Sequence, residues 1–357
     1  MASEFVVTFP TLADLQDAWV EHHCRVPDGF ARKQPFKMAD WQFWCTANHY
    51  RVREDAEWVP DRPLINQAFV YRRSQVVAPQ KTGKGPWSAV VTCLEAVGPA
   101  LFGGWAKPGD RYRCEQFGCS CGWEHPYEKR DPKGIRHPSP LIQLTATSED
   151  QVDNIYRPFR AMIAMGPLKD LLKVREGFTR IVGDSDDPDM DRVDVDTSSA
   201  TSRVGNPISF AFQDESGLYT DQNKMRKVAE AQRRGAAGMG GRTIETTNCW
   251  DPAETSVAQT TYESPSADVF RFYRNPDEAL HDKHDRPLSY LDKRQRRKIH
   301  EYVYEGSWWV NLDSIEAEAA ELLERDPSQA ERFFGNRLTR GAGAWLPDGL
   351  WESAYAA

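Results

Sequence analysis

Apolar and polar positions along the chain follow two periods, and the switches between them divide it into helices and strands. Helical spacing predicts a helix over 12–24, and 35–50 reads as a second, capped amphipathic helix. Short apolar runs predict strands at 68–71 and 75–78, with a turn and a helix over 87–97 behind them. Residues 98–140 keep no period and contain Gly, Pro and Cys; they are far longer than an ordinary helix-to-strand connection and read as an insertion. The pattern resumes with a strand at 141–146 and a helix that starts at Ser148 and runs through Ile155 and Phe159 to Met165. Residues 184–196 are rich in acids and turn formers and are expected to be exposed. An apolar strand from Ile208 ends in Asp214 and Glu215, 235–241 has the composition of a mobile loop, and 243–248 reads as another strand. Charge and Pro rise over 274–298, and 314–323 and 326–334 predict two helices.

Strands alternating with helices predict an α/β fold with a mainly parallel sheet flanked by helices, closed by a small C-terminal helical lid. The expected layout is an N-terminal helical extension over 1–35, a core over 36–285 interrupted by the insertion 98–140, and a lid over 286–357. There is no internal repeat.

Composition narrows the class. At 357 residues, with 40% hydrophobic and 27% charged side chains, the chain has the make-up of a globular protein with a sizeable core. No run approaches 18 apolar residues, and the first ten residues lack a basic start and a long apolar block, so a cytoplasmic protein without membrane contact is expected. Seven scattered cysteines suit a reducing compartment. A net charge of −8 argues against coating nucleic acid electrostatically. A local basic window remains: Lys224, Arg226, Lys227, Arg233, Arg234 and Arg242 share it with the single acid Glu230, as a DNA-contact surface or a solvated helix face.

The chemistry concentrates in two segments. Residues 78–85 read APQKTGKG and sit at a strand-to-helix turn, where backbone N–H groups and a helix N-terminus would face phosphates; Pro79, Gln80, Lys81, Thr82, Gly83, Lys84, Gly85 and Pro86 are the expected ATP-binding residues. The strand ending in Asp214 and Glu215 delivers two carboxylates, one to hold Mg²⁺ and one to orient an attacking water. The loop departs from G-x-x-x-x-G-K-[ST] at both ends, with Ala78 for Gly and Gly85 for a hydroxyl residue. Thr82 or Ser88, waters or the phosphates would then complete the magnesium shell beside Asp214. The competing reading is a plain turn between strand and helix.

In order and spacing, Trp41-Gln42, the Gly83-Lys84 loop, the segment 144–151, Phe212 to Glu215 and Thr246 to Asn248 resemble the ATPase domain of a large terminase subunit, the DNA-packaging motor of tailed bacteriophages. The resemblance spans nearly the whole chain and implies a P-loop NTPase of the ASCE/RecA-like kind. It implies Lys84 on the β- and γ-phosphates, Asp214 on Mg²⁺, Glu215 on the water, Trp41 and Gln42 at the adenine, and Thr246, Thr247 and Asn248 coupling phosphate loss to the lid. Many family members carry an Arg three residues before the loop glycine. Gln80 stands there, so the transition-state charge is expected from Lys81 or from an arginine elsewhere, with Arg157, Arg160 and Arg203 as candidates. The implied partners are double-stranded DNA, the phage portal protein, the small terminase subunit and further copies in a ring on the portal, in the host cell cytoplasm; the isolated domain is expected to be monomeric. The sequence from Trp345 resembles the family's junction before a nuclease domain, so nuclease activity is not expected of this chain.

Within the insertion, Cys114, Cys119, Cys121 and His125 lie inside twelve residues, a candidate structural Zn²⁺ set with His137 as substitute imidazole. Reduced thiols and a disulfide are the alternatives. Two other functions remain open: a helicase-like nucleic-acid-dependent ATPase, and a nucleotide-binding scaffold without turnover, the latter motivated by Gly85 and the missing loop arginine.

Overall fold

The computed structural model describes residues 5–61, 68–183, 186–187, 189–196, 207–238 and 240–340. Helices α1 (Ala13–His23) and α2 (Asp40–His49) precede β1 (Arg73–Val77), which turns into α3 (Lys84–Val97). The insertion holds β2 (Leu101–Trp105), β3 (Arg111–Arg113), β4 (Glu124–Pro126) and β5 (Pro132–Ile135); β3–β4 is a hairpin nested inside the antiparallel pair β2–β5. Then follow β6 (Leu141–Thr145), α4 (Glu149–Met165), β7 (Leu172–Arg175), β8 (Phe178–Ile181), β9 (Arg192–Asp196) and β10 (Phe210–Asp214). After these come α5 (Met225–Gly238), β11 (Arg242–Thr247), α6 (Val257–Glu263) and β12 (Val269–Tyr273). The C-terminal helices are α7 (Pro276–Ala279), α8 (Lys293–Val303), α9 (Leu312–Arg325) and α10 (Pro327–Phe333).

The sheet is eight-stranded in the order β12-β1-β11-β10-β6-β9-β8-β7. From β12 to β9 all neighbours are parallel, and the β7–β8 hairpin adds an antiparallel edge. This is the mainly parallel α/β sheet that the alternating pattern predicts.

Each strand feeds two faces, because successive side chains point to opposite sides. Val76, Ile142, Leu144, Phe210 and Phe212 meet Trp19, Trp41, Trp87 and Phe159 from α1 to α4 in the main core. Truncating an indole buried as Trp87 is, at 0% exposure, costs about 3–5 kcal/mol. The other face is more polar: Gln75 Nε2 donates to Ala258 O of α6, Gln213 Nε2 donates to Gln232 Oε1 of α5, and Arg233 pairs with Glu245 at 3.2 Å. The C-terminal helices build their own cluster around Tyr290, Ile299, Val303 and Phe334.

Several expectations are corrected. Residues 68–71 form no strand and offer only a bridge from Phe69 to Val52. Residues 235–238, expected in a loop, continue α5. The acid-rich segment ends in β9, where Asp194 is fully buried and paired with Arg192 at 3.0 Å; charges satisfied inside the fold look like surface charges in a sequence. Arg242 is likewise buried, paired with Glu95 at 3.3 Å, so the basic window is not one surface. The junction from Trp345 lies outside the described residues. Among the described residues no helix is long and apolar enough to cross a membrane.

Candidate functional site

Parallel pairing aligns Val77 with Thr247 and Asp214 with Thr246, so β1, β11 and β10 end along one edge of the sheet. There the phosphate loop follows β1, the acids end β10, and Asn248 follows β11. Gly83, at φ 91°, makes the left-handed turn that opens α3, with Lys84 in its first turn. Pro86 fits the same turn, where an N–H has no helical acceptor.

Lys84 is buried, and its ammonium donates to Ala78 O at 2.7 Å, Pro79 O at 3.0 Å and Asn248 Oδ1 at 2.9 Å. Asn248 is a two-sided bridge: its Nδ2 donates to both carboxylate oxygens of Glu215 at 3.3 and 3.2 Å, and its backbone N–H donates to Oε2 at 3.3 Å. Thr246 Oγ1 donates to Asp214 Oδ1 at 2.6 Å. Thr247 Oγ1 accepts from Gly217 N and donates to Asn248 O, fixing the turn behind the acids. Glu215 itself holds φ at 54°, a left-handed conformation that turns its carboxylate off the strand line toward Asn248.

Electrostatics follow from burial. Desolvation, then the negative charge of Glu215, raise the Asp214 carboxyl to about 7. Desolvation lowers the pKa of Lys84, opposed by Glu215 and Asp214. A divalent cation beside Asp214 would relieve the repulsion that raises its pKa, so this donor set fits Mg²⁺.

These groups line a cleft of 660 Å³ whose second wall is α4 together with the segment after α1. Asn154, Arg157 and Arg32 face it, as do Lys81 of the loop and Trp309 before α9. Among the described residues neither Arg32 nor Arg157 has an ion-pair partner. Arg160 points instead to Asp153, at 3.9 Å, and over the Tyr156 ring; Arg203 lies outside the described residues.

The missing hydroxyl at position 85 has a steric cause. A Cβ on Gly85 would come 2.4 Å from the backbone O of Asn154. That carbonyl is the one Pro158, inside α4, cannot bond, because proline has no N–H to donate one turn back. Thr82 and Ser88 do not replace it: their hydroxyls donate to Pro79 O and Lys84 O.

Trp41 and Gln42 stand behind the loop rather than in the cleft. Trp41 is buried against Phe272 and its indole N–H reaches Ser307 Oγ. Gln42 is spent at both ends, accepting from Ala39 N and donating to Gly83 O. The exposed indole at the cleft is Trp309, whose Nε1 donates to Lys81 O and whose ring covers Gly83. Tyr304 and Ser307 donate to Gln80 O and Thr82 O, so the C-terminal helices grip the loop through its carbonyls. Sequence reading missed Arg32, Asn154 and Trp309; the adjacent Trp308 and Trp309 in a charged segment were the available signal.

In the insertion, Cys114, Cys119 and Cys121 converge but His125 does not join them: it sits in β4 opposite Tyr112. His137 accepts a hydrogen bond from Ser139 N. The imidazole at the thiols is His23, from α1.

No protein-family model matches the sequence. The chain is 23% identical over 317 residues to the Gene 13 protein of Mycobacterium phage D29, and 23% identical over 314 residues to that of Mycobacterium phage L5. These alignments cover 81% and 80% of this chain but 47% of each relative, so the chain spans about half their length. Among solved structures, the large terminase of bacteriophage HK97 superposes with a TM-score of 0.59 at 16% identity, covering 92% of this chain and 55% of that one. The chain therefore shares the fold of that terminase over nearly all its length.

Proposed function

We propose that this chain is the ATPase motor domain of a phage large terminase subunit, hydrolysing ATP to drive double-stranded DNA into a procapsid. The observation that carries this reading is the hydrogen-bonded set Lys84–Asn248–Glu215, beside Asp214, at the strand ends of a terminase-like sheet. Lys84 exchanges its bonds to Ala78 and Pro79 for the β- and γ-phosphates. Asp214 would hold Mg²⁺, which would supply charge neutralisation at the phosphates. Glu215 orients the water and takes its proton, and Asn248, touching both Lys84 and Glu215, senses the γ-phosphate and relays its loss. The base stacks on Trp309, while Trp41 and Gln42 buttress the loop. Lys81, Arg32 and Arg157 supply positive charge from within the chain, and a neighbouring subunit of the ring on the portal adds to it. Lys224, just before α5, and Lys227 and Arg234, exposed on it, are the DNA-facing charges, and the small terminase subunit is a further partner in the host cytoplasm.

Phosphate release by wild type and Glu215→Gln tests the reading, with nucleotide binding measured in parallel. Loss of a positioned proton acceptor should slow release about 10²- to 10⁴-fold while binding persists. Binding without release from either protein supports a nucleotide-binding scaffold instead.

A further inference from the structure

The cluster at the end of α1 lies outside the nucleotide cleft. Cys114, Cys119 and Cys121 all come from the loop of the β3–β4 hairpin, while His23 is the last residue of α1. Gly118 and Gly122, at φ 77° and 73°, make the left-handed turns that fold the short Cys-x-Cys segment back on itself. His23, Cys114 and Cys119 are buried and Cys121 partly so, and every cysteine among the described residues is a free thiol.

The distances describe a common centre. His23 Nε2 stands 3.4, 3.8 and 3.3 Å from the sulfurs of Cys114, Cys119 and Cys121, and all four ligand atoms lie within 4.8 Å of one another. A tetrahedron with ordinary Zn–S and Zn–N bonds has S···N edges of about 3.6 Å. One ring nitrogen can hydrogen-bond one thiol well; three sulfurs grouped around it at these distances match four ligands of one ion. The tautomer is set for this: His23 Nδ1 lies 2.8 Å from Trp19 O and donates to it, leaving the Nε2 lone pair toward the sulfurs, the outer-shell arrangement of metal-bound imidazoles. Trp123 N donates to Cys121 Sγ, and the Trp19 ring stacks on His23.

We propose that His23, Cys114, Cys119 and Cys121 bind one structural Zn²⁺ that fastens the C-terminal end of α1 to the insertion. The ion ties to α1 a hairpin loop whose Phe117 and Trp123 already pack on Tyr112. It also anchors the start of the segment that carries Arg32 to the cleft wall, and the end of α4, where Gly166 packs directly on His23 O. The site does not depend on the ATPase reading, because its occupancy is read without turnover.

Untagged protein purified without chelator should carry about one equivalent of zinc. Its Co²⁺-substituted form should show the visible bands of a tetrahedral site and thiolate-to-metal charge transfer. His23→Ala should lower zinc affinity at least tenfold, whereas His125→Ala and His137→Ala should retain the full equivalent. If His23→Ala does not fold, His23→Cys decides: a Cys₄ site with zinc bound supports the proposal. Folded wild type with less than half an equivalent of zinc and freely reactive thiols overturns it, as does loss of zinc from His125→Ala but not from His23→Ala.

Discussion

The two walls of the cleft are built on opposite principles. On the sheet wall Lys84, Asp214 and Asn248 are buried and, with Glu215, already hydrogen-bonded to protein partners. On the α4 wall Asn154, Arg157 and Arg32 are exposed, and the arginines have no ion-pair partner among the described residues. Buried polar groups hold one geometry because leaving it costs desolvation, whereas exposed charges adapt at little cost. The sheet wall thus holds one fixed geometry, and the α4 wall offers adjustable charge.

Substitutions on either side sharpen that contrast. Asn248→Ala removes the bridge between Lys84 and Glu215. Hydrogen bonds to charged groups contribute about 1.5–3 kcal/mol, so phosphate release should fall roughly 10- to 100-fold. An unchanged rate would show that the bridge is not part of the working state. Proton competition comes next. Because Asp214 titrates at about 7, Mg²⁺ should bind about tenfold more weakly for each unit below that pH, and the acid limb of activity should move down as Mg²⁺ is raised. Its carboxyl is raised in the fold, so the stability from its protonated form is present at low pH and lost as pH climbs from about 4 to about 7. Asp214→Asn should abolish that slope in a pH series of thermal melts. Arg157→Ala should cost least, about two- to fivefold in phosphate release, the worth of one exposed charge. A loss larger than that of Asn248→Ala would reverse the assignment of the two walls.

The same division decides what a sequence reveals. The sheet wall was legible because buried parallel strands are apolar runs and their ends carry the loop lysine and the paired acids. The α4 wall was legible only in part: Arg157 stood among three arginine candidates with nothing in the sequence to rank them, and Asn154 on a helix reads as an ordinary solvated side chain. His23 gave no signal for a different reason: it stands at a helix end, distant in sequence from Cys114, and only packing joins them. Trp41 and Gln42 misled in the other direction. Gln42 is a residue type that can read a base edge, yet it stands buried behind the loop with its amide held by Ala39 and Gly83.

Gly85 and Pro158 form an interlocked pair. A residue with an N–H at 158 would draw the Asn154 carbonyl back into its own helix; any β-carbon at 85 would drive that helix away from the loop. Neither position can drift alone without disturbing the other. Transplanting a hydroxyl-bearing loop into this chain should therefore fail until α4 is rebuilt to receive it, which makes the unusual loop a property inherited from its neighbour.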